Sequence, residues 1–146
     1  MTRINSAIPV KCLTDEHLLA EHREIKRLPY NLKKALESGS VKKIPKEFKL
    51  GRGHVLFFLD KQKFVQDRYS EIFNECVYRG FDVQCYITNW KDIYFSEYYK
   101  DYVPTREEKE LLKERIKYRI LNSKKEYFHY YKRKINKEEA IKLLEK

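Results

Sequence analysis

The residues Glu16-His17-Leu18-Leu19-Ala20-Glu21-His22-Arg23-Glu24-Ile25-Lys26-Arg27 set the reading of the whole chain. At about 100° per helical residue, Leu18 and Ile25 form one stripe, which Leu28 and Leu32 continue. His17, Glu21 and Glu24 fall within an arc of roughly 60° beside that stripe. Two carboxylates therefore border an apolar face, where a carboxylate loses hydration and needs partners. Arg3, Arg23 and Arg27 are the candidate cations. A solvated, salt-bridged helix face is the plain alternative, and helix geometry alone leaves both open.

Outward from this stretch, Thr14 or Asp15 can cap the helix, and the apolar spacing predicts a run through Leu18, Ile25, Leu28, Leu32 and Leu36 to a stop near Gly39. Pro29 has no N–H to donate and its ring clashes with the carbonyl of Ile25, so a bend is expected beside Glu24 and Arg27. Residues 38–49 are polar, basic and irregular, a loop able to meet phosphates. Residues 51–61 combine paired glycines with an apolar run and read as core, with His54 a hydrogen-bonded structural histidine. A second helix carries Phe64, Val65, Tyr69, Ile72, Phe73, Cys76 and Val77 on its stripe and ends at Arg79-Gly80. Cys76 is then a packing group, not a nucleophile.

Residues 81–104 read as a long ordered connection rich in aromatic rings. Weak alternation over residues 82–88 allows one short strand, and without a second a sheet is hard to build. Thr105 caps a third helix with Glu107 and Glu108 in its first turn and Leu111, Leu112, Ile116 and Ile120 on its inner side. Arg115 and Arg119, four residues apart beside that stripe, make a two-point phosphate clamp. Asn136 and Glu139 have the spacing of a capping box for a short tail helix. The expected fold is all-α: a compact single domain of three principal helices with long ordered loops, plus a short C-terminal helix. The division expected is a functional domain over residues 1–134 and a helical extension over residues 135–146.

With 146 residues and 42 % hydrophobic content, the chain suits one core rather than two. Its 32 Lys and Arg against 22 Asp and Glu leave a formal charge of +10, which favours a polyanionic partner. Cys12, Cys76 and Cys85 show no Cys-x-x-Cys spacing and no Cys/His cluster, which argues against zinc and for a reducing, cytoplasmic setting. No run approaches the roughly 18 apolar residues of a membrane span. Near the C-terminus, Tyr127, Phe128, Tyr130 and Tyr131 adjoin Lys132, Arg133 and Lys134. Cations there neutralise a nucleic-acid backbone while rings stack on bases, at about 1–3 kcal/mol per base. The same rings can equally close the helical core.

The chain has no Ser/His/Asp motif, no phosphate-cradling glycine loop and no repeated metal-ligand pattern. What remains is the N-terminus. Thr2 is small enough for Met1 to be removed by ordinary processing, which exposes a threonine α-amine beside Arg3. An α-amine has a pKa of about 7.7–8.0 against about 10.4 for lysine, so roughly a tenth of it is neutral at pH 7. Neighbouring arginines raise that fraction. A neutral amine can attack an aldehyde-like sugar carbon to form a Schiff base, while a fixed carboxylate stabilises the cation and moves protons. Glu24 is the candidate carboxylate.

Met1-Thr2-Arg3-Ile4-Asn5, His17-Leu18, Ala20-Glu21, Arg23-Glu24 and Arg27 together resemble the pyrimidine-dimer DNA glycosylase family. Gly53-His54-Val55, Phe57-Phe58, Asp60-Lys61, Arg79-Gly80-Phe81, Asp101-Tyr102, Pro104, Arg115 and Tyr130-Tyr131 resemble it in the same order, as far as about Tyr131. The resemblance implies an N-terminal segment packed between helices, so that Thr2 meets the first helix. It also implies a bifunctional glycosylase and lyase that excises a cyclobutane pyrimidine dimer base through a Schiff base on the Thr2 amine and nicks the strand by β-elimination. Thr2 and Glu24 would be catalytic. Arg3, Arg23, Arg27, Arg115 and Arg119 would hold DNA with Tyr127, Tyr130 and Lys132, and His17 and Glu21 would orient the site. The implied partner is double-stranded DNA carrying UV damage, met by a monomer without metal or cofactor, and associated with the nucleoid through that DNA.

Three departures from the family pattern stand out. One residue is added before the first helix. Tyr127 stands where the family has tryptophan, and Arg119 where it has lysine. The tail beyond Lys132 is longer. Two other readings accompany the enzyme: the same scaffold acting on a ring-opened purine or an abasic site, and a non-catalytic nucleic-acid-binding module.

Overall fold

The computed structural model describes residues 4–146, so the expectations placed on Met1, Thr2 and Arg3 concern residues outside the described range. Helix α1 (Asp15–Ile25) starts at Thr14, whose hydroxyl accepts the His17 N–H at 3.2 Å. The single bent helix expected to reach Gly39 is instead two. Helix α2 (Leu28–Ser38) carries Pro29 in its first turn, where the missing N–H costs least. At the junction Arg27 N–H turns back to the Glu24 carbonyl at 3.1 Å, and Arg27 caps α2. The stop at Gly39 is as expected, with φ 81° in the left-handed region. Leu36 lies outside the stripe, 46 % exposed, and Leu32 and Ala35 are the buried residues of that face.

Helix α3 (His54–Phe58) is a short turn that buries His54, Phe57 and Phe58. Helix α4 (Gln62–Tyr78) packs against α1 and forms the mast of the fold, burying Val65, Tyr69, Ile72 and Cys76. Burial pushes the Cys76 thiol up to about 11, which fits a packing group. Val77 points outward, contrary to the expected stripe. Residues 81–86 have no regular structure, so the weak alternation there makes no strand, and a following 3-10 turn (Ile87–Trp90) seats Trp90 in the core. The Trp90 indole donates to Gln62 Oε1 at 3.0 Å, and Gln62 Nε2 donates to the Leu28 carbonyl at 3.2 Å. One buried amide thus joins the aromatic connection to α2.

Helix α5 (Arg106–Leu121) begins at Thr105, whose hydroxyl accepts the Glu108 N–H at 3.1 Å. Leu112, Ile116 and Ile120 face the core as expected, but Leu111 is half exposed. Glu108, one turn before Leu112, faces inward and is buried. Its carboxylate accepts the hydroxyls of Ser6 and Tyr102, which offset its lost hydration.

Strands β1 (Tyr127–Tyr130) and β2 (Arg133–Asn136) form an antiparallel hairpin in an otherwise helical molecule, with Phe128 opposite Ile135 and Tyr130 opposite Arg133. Its two-residue turn, Tyr131 and Lys132, has φ 52° and 66°. Such turns ordinarily use asparagine or glycine. Here a buried carboxylate does the holding: Asp15 accepts the N–H of Tyr131 at 3.1 Å and of Lys132 at 2.7 Å, and pairs with Arg79 at 2.8 Å. Glu16 adds two bonds from His129, to its N–H at 2.8 Å and its ring at 2.7 Å. Helix α6 (Lys137–Lys142) follows with the expected capping box at Asn136 and Glu139, and Ala140, Leu143 and Leu144 are buried. The strand β2 crosses position 135, where the extension was expected to begin. Among the described residues no helix is long and apolar enough to cross a membrane.

Replacing Asp15 with Ala leaves two left-handed N–H groups unheld and Arg79 short of a buried partner. Equilibrium urea unfolding of Asp15→Ala is expected to show a loss of about 3–5 kcal/mol, and Asp15→Asn a smaller one because it keeps an acceptor oxygen.

Candidate active site

The first described residues are bound at nearly every polar atom. Ile4 is fully buried; its N–H donates to His54 Nε2 at 3.0 Å and its carbonyl accepts Arg115 Nη2 at 3.5 Å. Asn5 donates its backbone N–H to Glu21 Oε2 at 3.2 Å and its side-chain amide to Glu21 Oε1 at 3.0 Å. Its own carbonyl oxygen Oδ1 accepts Arg115 Nη2 at 3.3 Å. From α4, Arg68 meets Glu21 as a fork, Nε to Oε2 at 2.9 Å and Nη2 to Oε1 at 3.0 Å. Arg68 also donates to the Ile8 carbonyl. Side chains from α1, α3, α4 and α5 thus grip the segment that follows Arg3.

His54 has one workable tautomer in this arrangement. Its Nδ1 donates to the Lys49 carbonyl at 2.9 Å, which leaves Nε2 bare to accept from Ile4. Burial pushes its pKa down to about 4, and the nearby Arg115 charge acts in the same direction. The Lys49 carbonyl and the Glu21 carboxylate oppose them without prevailing. His54 is the hydrogen-bonded structural histidine that the sequence suggested.

The named site residues fall into three groups. Glu24 stands one turn beyond Glu21 on α1 and is half-buried, with Arg23 and Arg27 exposed on either side of it. Arg115 and Arg119 are half-buried one turn apart on α5, and Arg115 reaches the N-terminal segment directly. Around the opposite end of α1, His17 stacks on Phe128 with centroids 5.8 Å apart and bonds Thr14 through Nδ1 at 2.9 Å. There too Tyr130 donates its hydroxyl to the Lys11 carbonyl, and Lys132 donates its ammonium to the Gly80 carbonyl, each at 2.8 Å. Asp15, which anchors that hairpin, and Glu24 are separated by about 13 Å of helix rise. Tyr127 is 47 % exposed, with the Lys134 ammonium 3.6 Å from its ring centroid. The structure therefore brings Arg115 onto residues 4 and 5, sets Glu24 one turn beyond Glu21, and ties Tyr130 and Lys132 into the hairpin's own anchorage.

The described partner of Glu21 is Arg68, which was not among the cations expected from the sequence, Arg3, Arg23 and Arg27. The signal lay in the second helix, where a cation sits between Val65, Tyr69 and Ile72 on a buried stripe. A charge in such a place requires a counter-charge. Among the described residues no group of three or more His, Cys, Asp or Glu side chains is placed to hold a metal ion.

Residues 1–89 match a family model described as pyrimidine dimer DNA glycosylase. The matched span holds α1 to α4, and with them the Glu21–Arg68 pair, His54 and Glu24; α5 and the hairpin follow it.

Because folding holds His54 neutral with a pKa near 4 against an ordinary 6.5, its stabilising contribution is complete above about pH 6.5. That contribution is lost as the pH falls toward 4, on the order of 3 kcal/mol in all. Urea unfolding at pH 7 and pH 4.5 is expected to show wild type losing more stability than His54→Gln across that interval. His22, likewise lowered by burial, is common to both proteins and cancels in the comparison.

Proposed function

The chain belongs to the pyrimidine dimer DNA glycosylase family, and from that premise we propose that it excises UV-damaged pyrimidine bases and nicks the strand through a Schiff base on the Thr2 α-amine. The observation that carries this reading is the pair of bonds from Asn5 to Glu21. Thr2 precedes Asn5 by three positions, so its nitrogen lies at most about 10 Å from that of Asn5. Glu24 is only about 4.5 Å further along the α1 axis than Glu21. A tether of that length would allow an amine exposed by loss of Met1 to meet the Glu24 carboxylate, and this supports the reading.

In this reading the neutral amine adds to C1′ of a damaged nucleotide while the C1′–N glycosidic bond breaks and the base departs with the bonding pair. Loss of one amine proton frees the nitrogen lone pair to form C1′=N while the C1′–O4′ bond breaks. O4′ leaves with that bonding pair and takes a proton as the 4′-hydroxyl. The resulting iminium draws electrons from the C2′–H bond when a base removes the C2′ proton. The 3′ phosphate then leaves by β-elimination. Water adds to the remaining imine and returns the amine. Glu24 stabilises the cationic sugar and carries protons between these steps. Arg3, Arg23, Arg27, Arg115 and Arg119 offset the backbone charge around the lesion, and unstacking is cheaper where damage has already loosened the duplex. The net charge of +10 supports a polyanionic partner. Tyr127, the most exposed tyrosine of the hairpin, is offered as a base contact, with Tyr130 and Lys132 holding the hairpin beneath it. No metal enters the scheme, and the protein acts as a monomer.

Borohydride is expected to trap a covalent adduct between the Met-processed protein and duplex DNA carrying a cyclobutane dimer or an abasic site. Blocking the α-amine should abolish the adduct and the nick, and Glu24→Gln should lower strand cleavage by at least about 10²-fold. Cleavage should persist in chelator and weaken steeply with salt. A processed, unblocked protein that gives no adduct on either substrate overturns the proposal.

A further inference from the structure

We propose that His54 is a positioning residue for the reaction, its bare Nε2 fixing the Ile4 N–H and thereby the place from which the Thr2 amine attacks. This rests on the Schiff-base reading above. Only Arg3 lies between Thr2 and Ile4, so the chain can carry the amine no further than about 7 Å from the Ile4 nitrogen. Whatever holds the Ile4 N–H sets the centre of that reach.

The holding group is built for the purpose. Nδ1 of His54 is committed to the Lys49 carbonyl at 2.9 Å, so Nε2 accepts from Ile4 at 3.0 Å and cannot do otherwise while the ring is neutral. Phe48 and Phe58 close on the imidazole edge to face, with centroids 5.6 and 5.4 Å away, and block its rotation. The charged groups that face it are Arg115 from α5 and Glu21 from α1. Arg115 takes the Ile4 carbonyl on the other side. Ile4 is thereby held at both polar atoms of its backbone by side chains far away in sequence, and its own side chain is fully buried. A displacement of about 1 Å at a reacting group costs roughly 10²-fold in rate.

The test uses the full chain and borohydride trapping on abasic-site duplex under single-turnover conditions at saturating DNA. His54→Asn keeps a donor where Nδ1 stands and loses the acceptor for Ile4; its trapping rate constant is expected to fall about 10²-fold. His54→Gln places an amide oxygen near the Nε2 position and should recover most of that loss. Affinity for duplex containing an uncleavable abasic analogue should stay within about twofold, because the phosphate contacts are untouched. A role in folding alone would reduce the amplitude of trapping and leave its rate constant unchanged, and that result overturns the proposal.

A second variant avoids the side chain altogether. Cys12 allows ligation of a synthetic 2–11 segment to residues 12–146, with an ester in place of the Ile4 amide, which removes the N–H while leaving every side chain in place. The ester protein should be slowed like His54→Asn, and combining the two changes should add little further. Wild-type rates in the ester protein overturn the inference about His54 while leaving the Schiff-base reading intact. Absence of any adduct with wild type overturns both.

Discussion

The Glu21–Arg68 ion pair is the contact on which the N-terminal half of the molecule depends. Both side chains are almost completely excluded from water, at 1 % and 4 %. Burying either charge alone would cost several kcal/mol, so neither helix can take its place without the other. The pair fixes how α1 lies on α4 at this level. It also leaves Glu21 with lobes directed at Asn5, and these give the N-terminal segment somewhere to bind. A purely apolar contact would join the two helices as firmly and would offer that segment nothing to bond.

A second buried network repeats the device at the other end of α1. Asp15, Arg79 and Glu75 join the start of α1 to the end of α4, and Arg79 donates further to the carbonyls of Leu13 and Val10. Tyr131 closes it by donating its hydroxyl to Glu75 at 2.7 Å. Helix α4 is thus riveted to α1 by an arginine near each end, with Leu18, Ile25, Val65, Tyr69, Ile72 and Cys76 buried in the same core. One rivet serves the N-terminal segment and the other the C-terminal hairpin. A change at either site is transmitted through a stiff, close-packed interior.

How far the sequence discloses this arrangement depends on whether the deciding contact is local. Thr14, Thr105 and the Asn136/Glu139 box act within three residues of themselves, and Gly39 and Gly80 act through their own φ, so those helix ends were legible. The hairpin was not. Its turn puts tyrosine and lysine at positive φ, and what permits this is a carboxylate more than a hundred residues earlier. Arg68 and Glu108 show an intermediate case. Each occupies an inner position on a helical stripe, which announces a buried partner without saying which one. Val77 and Leu111 are the reverse, apolar residues at the edge of a stripe that the packing leaves outside. In the site, Glu21, Arg115 and His54 were recognisable as residues of interest, but that all three converge on Ile4 and Asn5 is a fact of tertiary structure.

The two carboxylates with which the sequence reading began differ in what they can still do. An ionised carboxylate has about four lone-pair directions. Among the described residues four donors reach Glu21: Asn5 N, Asn5 Nδ2, Arg68 Nε and Arg68 Nη2. Two of these bonds come from a buried arginine, so the carboxylate is committed to holding the segment and the helix pair together. Glu24, one turn along the same helix face, is half-buried and flanked by exposed arginines. Partial burial keeps a carboxylate's field strong at short range. The same residue type, three positions apart, is thus divided between holding the N-terminal segment and, in the mechanism proposed, serving the amine at its end.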